Sequence, residues 1–174
     1  MPKMNNLRID IKTVNDLTPE LSDFIQRAHE REFGTDSMVY SNPQWYLLGY
    51  LQHELVVQVG VLQRTISISN RPLLIAGIGF LITEPQHRGK GFATELMKQS
   101  DVFVRIKLGL PFSLLTCKPR LETLYSGMGW RVVNCPNVFT QPTGNRSCGG
   151  LIMIKECGEV PWPEGKIDFC GLPW

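Results

Sequence analysis

Leu7, Ile9 and Ile11 alternate with Arg8, Asp10 and Lys12 up to Val14, the period-two pattern of a half-buried strand. Thr18-Pro19 then gives a helix start, an N-cap hydroxyl followed by proline at the first helical position. Leu21, Phe24, Ile25 and Ala28 recur on one face of the predicted helix, which runs to about Phe33. The polar stretch 34–43 reads as a loop or a short second helix. Residues 45–51, 55–69 and 73–83 read as an antiparallel meander with a tight turn at Asn70-Arg71. Beyond it the period changes. Phe92, Leu96, Met97, Val102, Phe103 and Ile106 predict a helix over 91–108, with Gly109 as its stop. Residues 111–117 form an almost continuous apolar run suited to a buried strand. A short helix over 120–128 ends at Gly129, and strands are expected at 130–134 and 151–155 with a loop over 136–150. The Pro- and Gly-rich stretch 158–174 is expected to pack as an irregular arm through Trp162, Phe169 and Trp174. This order predicts one α/β domain, residues 1–174, whose mixed, mostly antiparallel central sheet is flanked by helices.

Composition narrows the function. A chain of 174 residues buries about 70% of its unfolded surface, enough for a core without staples. The formal net charge of +2 excludes holding nucleic acid or an anionic membrane by bulk charge, so any basic site must be local. The longest apolar runs, 73–78 and 110–115, fall far short of the roughly 18 residues of a spanning helix, and residues 1–6 hold no apolar signal core. A soluble, cytoplasmic protein is expected. Its five cysteines are odd in number, contain no C-x-x-C pair and share no zinc-like spacing with the three histidines. They are read as reduced thiols, and no metal site is expected; a catalytic cysteine would need a base brought to it in space.

The stretch Gln86-His87-Arg88-Gly89-Lys90-Gly91-Phe92-Ala93 follows a predicted strand and opens a predicted helix. Glycines at 89 and 91 permit a tight turn that points successive N–H groups outward, and the helix N-terminus adds partial positive charge. In that setting the stretch reads as a pyrophosphate cradle, with Arg88 and Lys90 supplying local charge. The plain alternative is a glycine turn ahead of a core helix. The stretch is neither a Walker loop, lacking G-x-x-x-x-G-K-[ST], nor a dinucleotide fingerprint, lacking G-x-G-x-x-G with a later acidic residue.

Gln86, Gly89 and Gly91 match Q-x-x-G-x-G/A, the acyl-coenzyme A signature of the GNAT acetyltransferases, and Leu124-Tyr125-Ser126-Gly127-Met128-Gly129-Trp130 resembles that superfamily's helix-to-strand segment. The element order fits along nearly the whole chain. Residues 54–64, the glycine loop and Leu124 to Trp130 resemble the aminoglycoside 2′-N-acetyltransferases. Residues 108–112, 118–122 and 162–168 resemble the nodulation-type N-acyltransferase of chito-oligosaccharides. Both modify an amino sugar.

The resemblance implies acetyl-CoA as cosubstrate, held by Leu81, Ile82 and Thr83 and by the 86–93 loop. It implies Tyr125 as the acid that protonates the departing thiolate. Where the aminoglycoside enzymes carry an acid on their fourth strand this chain has Gly79, so Glu84, His87 or a carboxylate among Glu30, Glu32 and Asp36 substitutes as base, or the amine enters already neutral. Acceptor contacts carry over to Glu32, Asp36 and the end of the arm at Trp174, and Asp168 matches the nodulation type. The expected activity is acetyl transfer to a small amine, an amino sugar or aminoglycoside-like acceptor. The alternatives are acyl transfer from an acyl carrier protein and a silent acyl-CoA-binding domain. The expected partners are a small-molecule amine and, at most, a second copy in a homodimer.

Overall fold

In the computed structural model, which describes residues 7–34 and 38–174, the alternating N-terminal stretch is strand β1 (Arg8–Thr13), paired antiparallel with β2 (Trp45–Leu51). Between them lies helix α1 (Pro19–Phe33). The Thr18 hydroxyl accepts the Leu21 N–H at 3.3 Å, so the N-cap and first-turn proline act as their sequence predicts. Strand β2 pairs with the 15-residue β3 (Glu54–Ile68), which pairs with β4 (Arg71–Thr83). The turn joining β3 and β4 falls one residue earlier than expected, at Ser69-Asn70, both at positive φ as a two-residue hairpin requires.

Helix α2 (Phe92–Val102) crosses to β5 (Phe112–Cys117), which runs parallel to β4. The single helix expected over 91–108 is α-helical only to Val102 and continues as a π-helical segment, Phe103–Leu108, closed by Gly109 in the left-handed region. After β5, a 3-10 turn and the short α3 (Glu122–Ser126) lead to β6 (Arg131–Val132).

Two expectations are corrected. The loop expected over 136–150 contains a hairpin, β7 (Asn137–Gln141) with β8 (Gly144–Arg146). The arm expected to be irregular contributes a strand. After β9 (Leu151–Glu156), β10 (Ile167–Asp168) inserts antiparallel to β3 and parallel to β7. The main path of the sheet is β6-β9-β5-β4-β3-β10-β7-β8, with β2 and β1 on the other half of β3.

Both faces are covered. Phe92, Leu96, Met97, Phe103 and Val104 pack on Val57, Val59, Val61, Ala76 and Ile78 on one face. On the other, α1 lays Ile25 against Tyr46, Leu48 and Leu55, while the arm lays Trp162, Phe169 and Trp174 against Leu62, Ile66, Ile75 and Phe112. Alternation explains the division: odd positions 57, 59 and 61 of β3 face α2, and Leu62 and Ile66 face the arm.

Candidate active site

Strands β4 and β5 pair only at Ala76–Ser113 and Gly77–Leu114. From Ile78 onward β4 has no partner on the β5 side, and Leu115 to Cys117 bond only to β9. Two parallel strands that start together and part leave a wedge bordered by unpaired backbone groups. Such an edge offers hydrogen bonds to an extended amide-bearing ligand. Leu81, Ile82 and Thr83 lie on the β4 bank.

A bulge shapes that bank. Gly79 faces Gly60 and Ile82 faces Gln58, so Phe80 and Leu81 together stand opposite Val59. Phe80 carries φ +56°, costly for a bulky side chain. The extra residue turns Phe80 to the same face as its neighbour Gly79, toward α1, while Leu81 packs on the α2 side.

The glycine loop stands at the open end of the wedge. Gly89 and Gly91 have φ +73° and +82°, and no side chain caps α2 at Gly91, so the first-turn N–H groups are left for an outside acceptor. Phe92 is buried and anchors the helix; Ala93 follows it, half-buried. The other side chains of the loop are tied to the protein. Gln86 Nε2 donates to Glu54 Oε1 at 3.1 Å and His87 Nε2 lies 3.0 Å from the same oxygen. The His87 contact first, then Gln86, holds the Glu54 carboxyl below its ordinary range. Lys90 Nζ approaches His87 Nδ1 at 3.5 Å. Arg88 turns inward, donating from Nε to the Thr83 carbonyl at 3.1 Å and from Nη2 to Glu32. The cradle is thus built chiefly of backbone, with Arg88 bracing it.

Tyr125 stands on α3, beyond the β5 bank, buried and edge-on to Trp130 at 6.3 Å. Burial above all, with the nearby Cys117 thiol, pushes its phenol up to about 12, so it keeps its proton at neutral pH.

Among the described carboxylates, Glu32 and Glu84 are paired with arginines and Glu30 accepts from Gln26 Nε2 at 2.9 Å. Glu84 Oε1 accepts from Arg31 Nη2 at 2.8 Å, and Glu32 is shared between Arg31 Nε, at 3.2 Å, and Arg88. Asp36 lies outside the described residues. Asp168 is exposed on β10, where its Oδ1 accepts the Cys170 N–H at 2.8 Å. It pairs with Ser67, itself opposite Pro72, seven residues along β4 from Gly79 and so roughly 20 Å from the bulge.

Trp174 reaches the site and is buried there. It is 4% exposed, its Nε1 donates to the Leu114 carbonyl at 3.2 Å, and its ring lies 5.0 Å from Phe169. Arg64 stacks over the indole at 5.7 Å and holds the Phe169 carbonyl at 3.4 Å. A Cβ on Gly77 would sit 2.5 Å from the indole, and one on Gly79 3.1 Å from the Trp174 carbonyl carbon. The end of the arm thus packs tightly against position 79, where the aminoglycoside enzymes carry their strand-four acid.

Sequence reasoning missed Glu54, Arg31, Phe80 and Arg64. Only Phe80 carried a local hint, lying between a Gly-x-Gly stretch and the cradle, and nothing local marks the other three.

A family model described as an acetyltransferase (GNAT) domain matches residues 18–133, two thirds of the chain. Nodulation protein A of Mesorhizobium japonicum is 28% identical over 171 residues, the match covering 85% of each protein. Among solved structures, the Escherichia coli GNAT family N-acetyltransferase YhbS in complex with CoA superposes with a TM-score of 0.67 at 15% identity, over 94% of this chain and 90% of that one. An aminoglycoside 6′-N-acetyltransferase complexed with coenzyme A superposes at 0.60 and 15% identity, over 89% and 99%. The family match starts at the Thr18 cap of α1 and runs past Tyr125, so it takes in the parted strands and the glycine turn between them, and the chain belongs to the GNAT acetyltransferase family and is an acyltransferase.

Proposed function

We propose that the protein transfers an acetyl group from acetyl-CoA to the amine of a small amino sugar or aminoglycoside-like acceptor. The observation that carries this reading is the unpaired edge of β4 beyond Gly77, opening onto the uncapped N-terminus of α2. The residues present fit an acyl-CoA thioester. First-turn N–H groups behind Gly89 and Gly91 suit its pyrophosphate, and the edge at Leu81 to Thr83 suits its amide-bearing arm. When bound, that cosubstrate supplies an activated acyl group.

The chain's own residues do the rest. A backbone N–H on the open β4 edge at the bulge serves to polarise a carbonyl, since β4 has no strand partner on the β5 side beyond Gly77. Tyr125 holds a proton for a thiolate. Glu84, paired with Arg31, fixes α1 against the cradle; the amine is taken up neutral. An amine flanked by electron-withdrawing oxygens titrates near the α-amino range of about 8, well below lysine, so enough of it is neutral at working pH.

A second reading, acyl transfer from an acyl carrier protein, is favoured by the 28% likeness to nodulation protein A. Thiol release with acetyl-CoA over a panel of glucosamine, aminoglycosides and polyamines tests the first reading. Turnover of amino sugars supports it, whereas transfer only from a carrier-bound thioester replaces it with the second.

A further inference from the structure

Four rings meet on the α1 side of the wedge. His29 lies 4.8 Å from Phe80, 5.0 Å from Phe33 and 5.9 Å from Tyr40, and Tyr40 lies 6.2 Å from Phe80. Gly60 makes room for them, since a Cβ there would meet Pro43 at 2.5 Å and Phe80 at 3.1 Å. The cluster is not sealed: His29, Tyr40 and Phe80 are half-buried and Phe33 is 43% exposed. Phe80 is the bulge residue itself, so these rings flank the place where an acceptor must approach the thioester.

Beside them Arg31 and Arg88 are paired with Glu32 and Glu84. A half-exposed group of rings suits a ligand with an apolar C–H face. A pyranose has such a face.

We propose that His29, Phe33, Tyr40 and Phe80 form a stacking platform that selects a pyranose-ring acceptor over open-chain amines. This deepens the amino-sugar reading and rests on it.

The test is saturation-transfer NMR on the full chain with D-glucosamine, using 2-aminoethanol as the open-chain control. Irradiating the aromatic protons is expected to saturate the sugar C–H protons and leave 2-aminoethanol unaffected. Phe33→Ala and Tyr40→Ala are each expected to cut the sugar signal at least fivefold while acetyl-CoA affinity, measured by calorimetry on the same samples, stays within twofold. The platform is overturned by absence of sugar saturation, by equal saturation of 2-aminoethanol, or by variants that saturate like the parent. Loss of acetyl-CoA binding in the parent protein would overturn the enzymatic reading instead, and the sugar titration still decides the platform.

Discussion

Tyr125 and Gly77 show how differently single residues can be read. Tyr125→Phe removes one hydroxyl from a buried ring and is expected to lower turnover by roughly ten- to a thousandfold with coenzyme affinity unchanged, as steady-state rates and calorimetry will show. Because burial raises this phenol, its proton is present below about 12 and lost only as pH climbs through that value. The parent pH–rate profile should therefore rise as the acceptor amine deprotonates and stay level through pH 10; a falling limb between 8 and 10 would assign the acid to another group. Tyr125 was legible from the sequence because its neighbours form a local segment. Gly77 was not, since the Trp174 indole that forbids a side chain there is supplied from 97 residues away. Gly77→Ala is expected to destabilise by about 1–3 kcal/mol through overpacking, read as a lower melting temperature.

At the scale of elements, helix α1 was readable to the residue because capping is local chemistry: Thr18 and Pro19 act on the turn that follows them. The β7–β8 hairpin and β10 were not, because their residues lack a long period and become strands only through the partners they meet. The cradle lies between these cases. Its glycines announced the turn, but Glu54, which holds Gln86 and His87, comes from the distant β2–β3 hairpin. Glu54→Ala is expected to weaken acetyl-CoA binding about two- to fivefold, as befits an exposed contact, with little change in melting temperature. Gly91→Val, which forces a branched side chain to φ +82°, should remove measurable binding in the same calorimetric assay.

For the molecule as a whole, the arm is part of the core. Trp162 lies edge-on to Phe112 at 5.2 Å, Phe169 is fully buried, and Ser41 accepts an Arg64 hydrogen bond while its N–H reaches the Pro173 carbonyl at 2.7 Å. Trp174→Ala should cost about 3–5 kcal/mol, which in a chain of this size lowers the melting temperature by roughly 6–20 °C; calorimetric melting decides it. An arm serving only the acceptor would instead raise KM and leave the melt unmoved. The interlock of Trp174 with Gly77 and Gly79 also bears on descent. A side chain at position 77 and an indole at position 174 exclude one another, so a relative with a small residue at 174 is free to carry one at 77. These positions should therefore change together among relatives.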